Sequence, residues 1–450
     1  MRIHILGIGG TFMGGLALLA RARGFTVTGS DQGIYPPMSD QLAASGIALT
    51  EGYQRLPDPA PDLAVIGNVL SRGNPAVEEV LDRGIPYTSG PAFLAEHILT
   101  GQFVMAVAGT HGKTTVASLM SWILDQAGFD PGFLIGGIAA NFGISARVGT
   151  GGFFVVEADE YDTAFFDKRP KFLHYRPRTL VLNNLEYDHA DIYPDLAAIE
   201  REFGFLLRTV PRTGKVLVNA QEPALQRVLG RGIWSAKETF ADPDGWWAEP
   251  LNADYSHFRV HWQNSFQGEV RFGLAGRHNM YNALAAIAAC RHAGVPVDTA
   301  IGALATFAGV KRRLEVRGSV RGITVYDDFA HHPTAIATTI EGLRGRIGKA
   351  RLVAVLEPRS NTMRLGVHRD TLATSLTGAD RVFLYAPPDI GWDVAGALDP
   401  LGDRVTTAAS YDALLIALQE ELKAGDHVLI MSNGGFGGLH DRLLRALAGR

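Results

Sequence analysis

Nine consecutive residues, Val107-Ala108-Gly109-Thr110-His111-Gly112-Lys113-Thr114-Thr115, have the types and spacing needed to hold the phosphates of a nucleotide. A glycine-rich turn at a helix N-terminus aims backbone N–H groups at anionic oxygens. The lysine adds a point charge, and the hydroxyl after it can ligate Mg²⁺. An apolar run, Phe103 to Ala108, feeds the turn, and a helix-forming stretch leaves it. The common phosphate loop has glycine five residues before Gly112, where this chain has Val107; the turn glycine is Gly109 instead. The bland alternative is an ordinary strand-to-helix turn. The nucleotide-binding candidates are thus Gly109, Thr110, His111, Gly112, Lys113, Thr114 and Thr115.

Other reactive groups also follow apolar runs, at the strand ends where parallel sheets bind ligands. Glu157-Ala158-Asp159-Glu160 comes after Phe153–Val156. A carboxylate there, within reach of Thr114, completes the oxygen-rich coordination that Mg²⁺ prefers, the alternative being a solvated acidic loop. His189 sits among carboxylates in Asn183-Asn184-Leu185-Glu186-Tyr187-Asp188-His189-Ala190-Asp191, after Thr179–Leu182, and could ligate a second metal ion or orient phosphates. His278, Asn279 and Asn282 open an Ala-rich helix, with both asparagines on one face; their amides match an adenine edge or cap the helix. Asp328 and His331, in Tyr326-Asp327-Asp328-Phe329-Ala330-His331-His332-Pro333, could serve a ribose or a metal-bound phosphate. Glu357 to Arg364 and Ser432 to Gly438 are two more polar strand ends on the same edge.

These groups need elements to position them. Strand-like runs alternate with helix-length segments throughout, the pattern of parallel α/β sheets. With 450 residues there is room for about three domains. Block one, 1–100, opens with strand Ile3–Leu6, a turn at Gly7, Gly9 and Gly10, a helix through Leu19, and strands Thr26–Gly29 and Leu63–Ile66: a Rossmann-like unit. Its turn fails the dinucleotide fingerprint at Phe12, although Asp31 stands where a ribose would be held. Block two, 101–307, carries the phosphate loop and an irregular Trp-rich stretch around Trp234–Trp262. Block three, 308–450, opens with the segment containing Lys311-Arg312-Arg313 and has strands Thr324–Tyr326, Leu352–Leu356, Val382–Tyr385 and His427–Met431, a second doubly wound sheet.

Composition excludes other classes. A formal net charge of −4 argues against binding nucleic acid, and the single cysteine, Cys290, allows neither an intrachain disulfide nor a thiolate metal cluster. No apolar run approaches the ~20 residues of a membrane span, and no secretory leader pattern opens the chain. A cytoplasmic enzyme without an obligate protein partner is expected.

Taken in order, Gly-Thr-His-Gly-Lys-Thr-Thr, Glu-Ala-Asp-Glu, Asn-Asn-Leu-Glu-Tyr-Asp-His, Gly-Arg-His-Asn-Met-Tyr-Asn, Lys-Arg-Arg and Asp-Asp-Phe-Ala-His-His-Pro resemble the Mur ligase family, the ATP-dependent amide-forming enzymes of peptidoglycan synthesis. With Gly-Ile-Gly-Gly at the start, the chain is similar to the branch acting on UDP-N-acetylmuramate. Asn68 to Pro75, Glu357 to Met363 and Met431 to Gly438 favour the members that add a recycled L-alanyl-γ-D-glutamyl-meso-diaminopimelate tripeptide over those that add L-alanine. A nucleotide-gated switch ATPase is the reading outside ligases, but it leaves blocks one and three without a task.

The resemblance implies three α/β domains for UDP-sugar, ATP and peptide, and an acyl-phosphate route with ATP as co-substrate and two Mg²⁺ ions. Lys113 would face the phosphates, Thr114, Glu157 and His189 the metals, and His278, Asn279 and Asn282 the adenine side. Arg313, Asp328 and His331 would arrive from the third domain on closure. Gly9, Gly10, Thr11, Phe12, Asp31, Asn68 and Ser71 would serve the UDP-sugar, and Arg359, Asn361, Ser432 and Asn433 the peptide.

Overall fold

The structure is a computed structural model, described over residues 1–35 and 38–449. Its first sheet contains β1 (Arg2–Leu6), β2 (Thr26–Asp31), β3 (Ala48–Glu51), β4 (Leu63–Ile66) and β5 (Tyr87–Ser89), in the order β3-β2-β1-β4-β5 with every pairing parallel. β1 lies at the centre, so its C-terminal turn opens where the strand order reverses, the crevice in which such sheets bind ligands. The helix Thr11–Ala22 leaves that turn; its small Gly15 faces Leu134 of the next domain, and a Cβ there would come within 2.4 Å of that side chain.

The second sheet has ten strands. Its parallel heart is β6 (Phe103–Ala108), β7 (Gly132–Leu134), β9 (Phe153–Ala158), β12 (Thr179–Leu182), β13 (Lys215–Asn219) and β14 (Ala236–Phe240), with β8 (Ala146–Arg147) antiparallel on the β7 edge. Helices cover both faces, which is why β6 and β12 read as unbroken apolar runs. Between β9 and β12 lies a small antiparallel pair, β10 (Asp162–Ala164) and β11 (Asp167–Pro170). The Ala-rich helix Arg277–His292 packs on Lys113–Gln126 and is buried on nearly every side, Cys290 included.

The Trp-rich stretch is not irregular. It continues the sheet through β15 (Trp246–Pro250), β16 (His257–Trp262) and β17 (Ser265–Arg271), and the last two pairings are antiparallel. Gln263 and Asn264 join β16 to β17, both at positive φ (48° and 61°), as a two-residue hairpin turn requires. Neither residue is glycine, so the usual hairpin signature is missing from the sequence. Trp246, fully buried, anchors this extension against the core.

The third sheet comprises β18 (Glu315–Val320), β19 (Ile323–Asp328), β20 (Leu352–Leu356), β21 (Arg381–Tyr385), β22 (Val405–Ala408) and β23 (His427–Met431), in the order β18-β19-β23-β20-β21-β22. It is parallel except for β18, an antiparallel edge strand. No helix among the described residues is long and apolar enough to cross a membrane.

A short segment links the second and third sheets. Gly309 (φ 90°), Arg312 (61°) and Leu314 (50°) all adopt left-handed backbone. The Asp328 carboxylate accepts from Leu314 N at 2.7 Å and Ala330 N at 2.8 Å, and Arg312 Nη2 donates to the carbonyls of Ser432 and Gly434 at 2.6 Å each. The linker is thereby clamped to two strand ends of the third sheet.

Candidate active site

The phosphate loop is held from beneath by the strand end beside it. Gly109 (φ 145°) and Gly112 (φ 78°) take backbone angles that favour glycine, and Gly112 caps the helix Lys113–Gln126. His111 N donates to Asn184 Oδ1 at 2.7 Å, the amides of Asn183 and Asn184 donate to His111 O at 3.0 Å, and Glu186 N donates to Thr110 Oγ1 at 2.9 Å. The segment 183–186 thus shapes the loop, leaving the first N–H groups of the helix to face an anion.

At its centre Lys113 Nζ donates to Gly109 O (2.6 Å) and to both oxygens of Glu160 (2.8 and 3.2 Å). Glu160 Oε1 also hydrogen-bonds His189 Nε2 at 3.0 Å, and only 2% of Glu160 is exposed. The three form one buried charged chain. Burial opposes the lysine charge, but Glu160 and Asp159 hold its pKa above the ordinary value. Burial likewise pulls His189 down, and the hydrogen bond and charge of Glu160, with Asp188, more than reverse it. Glu160 was not singled out from sequence; its place in an acidic strand-end motif was the available signal.

Beside this chain Thr114 Oγ1 donates to Glu157 Oε2 at 3.3 Å, and Glu157 Oε1 accepts from Gly136 N at 2.6 Å. Burial raises the Glu157 pKa, the state a nearby cation would reverse. Arg313 Nη2 reaches Thr114 Oγ1 at 3.4 Å and lies over the Phe329 ring at 4.9 Å. A basic group from the linker therefore sits at the mouth of the loop.

The third domain closes on the second around a cavity of about 250 Å³ lined by Tyr161, Asp188, His189, His331, Arg359 and Asn361, among others. Thr362 Oγ1 donates to Asp188 Oδ1 at 2.7 Å, and Asn361 Nδ2 to Asp191 Oδ2 at 2.9 Å. Against the cost of burial, the His189 charge and the Thr362 hydrogen bond hold Asp188 well below the usual carboxylate range. Burial lowers His331 to about 4, so it is neutral near pH 7. Its Nδ1 faces the carbonyl of Phe329 at 3.0 Å, which can only accept; the proton sits on Nδ1, and Nε2 keeps a lone pair. A second seam joins His111, Glu186 and His332: His111 Nε2 is 2.8 Å from Glu186 Oε2, and Thr334 Oγ1 donates to the other oxygen at 2.8 Å.

Several sequence candidates are engaged otherwise than expected. Asn279 and Asn282 are buried and turned inward: Asn282 Nδ2 donates to Asn279 Oδ1 at 3.1 Å, and Asn282 Oδ1 accepts from Asn183 at 2.9 Å beneath Gly112. In this arrangement they brace the loop. His278 lies beside them with Nδ1 buried and unpartnered, and burial lowers it to about 4. The Asp328 carboxylate here accepts from the linker and from Ala330 N.

Asp31 accepts from Gly9 N at 2.8 Å and Gly33 N at 3.3 Å, bracing the first glycine turn where a ribose contact was expected. Gly10 and Thr11 remain at the open start of the first helix, and Asn68 and Ser71 lie in the loop after β4. The Phe12 ring packs at the seam with the second domain, 5.4 Å from Lys171 Nζ. Ser432, 1% exposed, donates to the buried Glu357 carboxylate and is therefore part of the cavity's support. Arg359, Asn361 and Asn433 do line the cavity, and the Asn433 Oδ1 is buried without a partner.

Known proteins resemble this chain along its whole length. Three family profiles match in succession: "Mur ligase family, catalytic domain" over residues 2–101, "Mur ligase middle domain" over 107–290, and "Mur ligase, glutamate ligase domain" over 312–434. The chain is 52% identical over 450 residues to the UDP-N-acetylmuramate--L-alanyl-gamma-D-glutamyl-meso-2,6-diaminoheptandioate ligase of Escherichia coli K12, covering 100% of this chain and 98% of the relative. The like-named Haemophilus influenzae protein is 50% identical over 447 residues, 99% of each chain. Among solved structures, a murein peptide ligase from Psychrobacter arcticus aligns with TM-score 0.77 at 46% identity over 100% of this chain and 99% of that one. UDP-N-acetylmuramate-alanine ligase from Thermotoga maritima aligns over 100% of both chains with TM-score 0.83 at 22% identity, a likeness of fold.

Proposed function

The chain belongs to the Mur ligase family, and from that premise we propose that it joins UDP-N-acetylmuramate to L-alanyl-γ-D-glutamyl-meso-diaminopimelate, driven by ATP, in peptidoglycan recycling. The observation that carries this reading is full-length similarity to two tripeptide-adding ligases at 52% and 50% identity, against 33% for an L-alanine ligase from Salinispora arenicola. ATP and UDP-sugar as substrates make the cytoplasm its place of action.

The chemistry follows from position and charge. Lys113 and the N–H groups of the loop receive the ATP phosphates, and Arg313 adds positive charge from the linker side. The carboxylate of the muramic acid attacks the γ-phosphorus, ADP leaves, and an acyl phosphate results. The peptide amine then attacks the acyl carbon and phosphate departs. His331 Nε2, neutral and facing the cavity, is the group we assign to take the amine proton. Docking of Thr362 on Asp188 and of Asn361 on Asp191 keeps water from the acyl phosphate, which otherwise hydrolyses.

The residues suit divalent cations. Thr114 Oγ1 and Glu157 Oε2, 3.3 Å apart, form a hard-oxygen pair at the loop, and His189, its Nε2 held by Glu160, has its other ring nitrogen left as a ligand for a second ion. Bound there, Mg²⁺ supplies neutralisation of charge on the phosphate oxygens.

The test is ADP release with L-alanine, the tripeptide or the corresponding tetrapeptide as amine donor. Turnover is expected only when UDP-N-acetylmuramate and a peptide are both present. Efficient turnover with L-alanine and none with tripeptide overturns the assignment.

A further inference from the structure

A second cavity, about 200 Å³, adjoins the first and shares Arg359 with it. It lies wholly within the third domain, between the ends of β20 and β21, and is lined by Glu357, Arg364, Tyr385, Asp389 and Tyr411 besides Arg359. The Arg359 guanidinium makes no hydrogen bond or ion pair among the described residues. It packs against Gly434, where a Cβ would come within 2.2 Å of its nitrogen. Gly434 is itself fixed, its carbonyl accepting from Arg312 and its N–H donating to Ser432 Oγ at 2.9 Å. A free arginine on a rigid backbone shelf therefore divides the two cavities.

The outer cavity carries both signs of charge. Arg364 Nη2 and Asp389 Oδ2 pair at 2.6 Å on its rim, half in solvent. The Tyr385 and Tyr411 rings, 4.5 Å apart, form one wall, and Tyr411 Oη donates to Glu357 Oε1 at 2.6 Å at the floor. A cation and an anion side by side match the amino and carboxylate groups on one carbon of an amino-acid terminus. A lone ammonium or a lone carboxylate would satisfy only half of that pair.

We propose that this second cavity is the subsite for a zwitterionic amino-acid terminus on the peptide substrate, with Arg364 on its carboxylate, Asp389 on its ammonium and Arg359 on the carboxylate one side chain nearer the reaction centre. The inference rests on the ligase reading above and adds to it the discrimination of residue three. The peptide amine lies in the first cavity, and an extended chain of three residues spans roughly 10 Å, so its far end leaves that cavity past Arg359. Diaminopimelate ends in ammonium plus carboxylate, whereas lysine at the same position ends in ammonium alone. A site built to pair with a charged group discriminates against an analogue lacking it; here the rim is partly solvated, which reduces the effect to on the order of 10- to 100-fold in kcat/KM.

The experiment compares kcat/KM for the diaminopimelate tripeptide and its lysine counterpart in the unaltered enzyme, Arg364→Ala and Asp389→Asn. Both side chains are at the surface, so the variants should fold, and KM for ATP and for UDP-N-acetylmuramate serves as the control. Expected is a preference for diaminopimelate of about tenfold or more that falls toward unity in Arg364→Ala through a higher peptide KM, at unchanged kcat. Asp389→Asn should weaken both peptides alike, since both carry the ammonium. Tripeptide turnover with the preference within twofold of the unaltered enzyme in Arg364→Ala overturns the subsite alone. Absence of tripeptide turnover in the unaltered enzyme overturns the ligase reading and the subsite with it.

Discussion

Glu160→Gln isolates the buried chain that links the phosphate loop to His189. The carboxylate stands 2.8 Å from Lys113 Nζ and 3.0 Å from His189 Nε2, almost wholly out of solvent. With an effective dielectric near 20, a charge pair at that separation attracts by about 6 kcal/mol before desolvation is counted. Removing one partner of a buried pair costs about 3–5 kcal/mol, because the other charge is left unpaired. Glutamine keeps one acceptor oxygen, so we expect roughly 2–3 kcal/mol, seen as a fall of about 5–10 °C in the unfolding transition of the central domain. Activity and binding should separate. ATP must draw the ammonium of Lys113 away from Glu160, and glutamine holds it less firmly, so ATP affinity should be kept or improved. His189 loses the carboxylate that orients its ring, and kcat should fall on the order of 10- to 100-fold. Calorimetric titration with ATP, differential scanning calorimetry and steady-state ADP release give the three values. A variant with unaltered thermal transition and kcat within twofold refutes the reasoning, as does loss of ATP binding in parallel with kcat.

Lys113→Ala should abolish ADP release while leaving UDP-N-acetylmuramate binding within a few-fold, since the lysine lies on the second sheet and the proposed sugar-nucleotide turn on the first; equal loss of both in titration calorimetry contradicts the division of labour. His4 supplies a pH test of the first domain. Burial between Thr28 Oγ1 (2.8 Å) and Ser30 Oγ (3.1 Å) lowers it to about 4, from an ordinary 6.5. The unfolded chain therefore binds the proton first, so the stabilisation is present above pH 6.5 and is lost as the pH falls from there toward 4. Between pH 7 and 5 this amounts to about 2 kcal/mol. Hydrogen exchange of β1 amides, corrected for intrinsic rates, should show that difference and show it removed in His4→Gln; an identical pH dependence in the two proteins rules out the assignment.

Much of the fold was legible because the strands buried on both faces are apolar and short. Leu63–Ile66, Phe103–Ala108, Thr179–Leu182, Leu352–Leu356 and His427–Met431 occupy the residues expected of them. Strands that are edges or carry charge were harder to read. β3 (Ala-Leu-Thr-Glu) is an edge strand, β14 (Ala-Lys-Glu-Thr-Phe) is interior to its sheet but charged and half exposed, and β15 to β17 hide among tryptophans, histidines and a turn without glycine.

The sequence by itself determined which reactions are open to this protein. Phosphate loop, acidic strand end, His189 segment and His331 segment are each contiguous, and each carries its chemistry in neighbouring side chains. Tertiary structure decided which of those side chains work together. Lys113 meets Glu160 while Glu157, three residues earlier, turns to Thr114, because Glu157 lies within β9, whose faces alternate, and Glu160 lies beyond that strand's end. Asn282 closes under Gly112 and Ser432 under Glu357, where their polar atoms are needed by buried partners. Thr362 reaches Asp188 across 174 residues of chain. Such pairings follow from how three sheets pack and close, and short-range patterning holds no record of them, because it reports a residue's own element and not the element that will lie opposite.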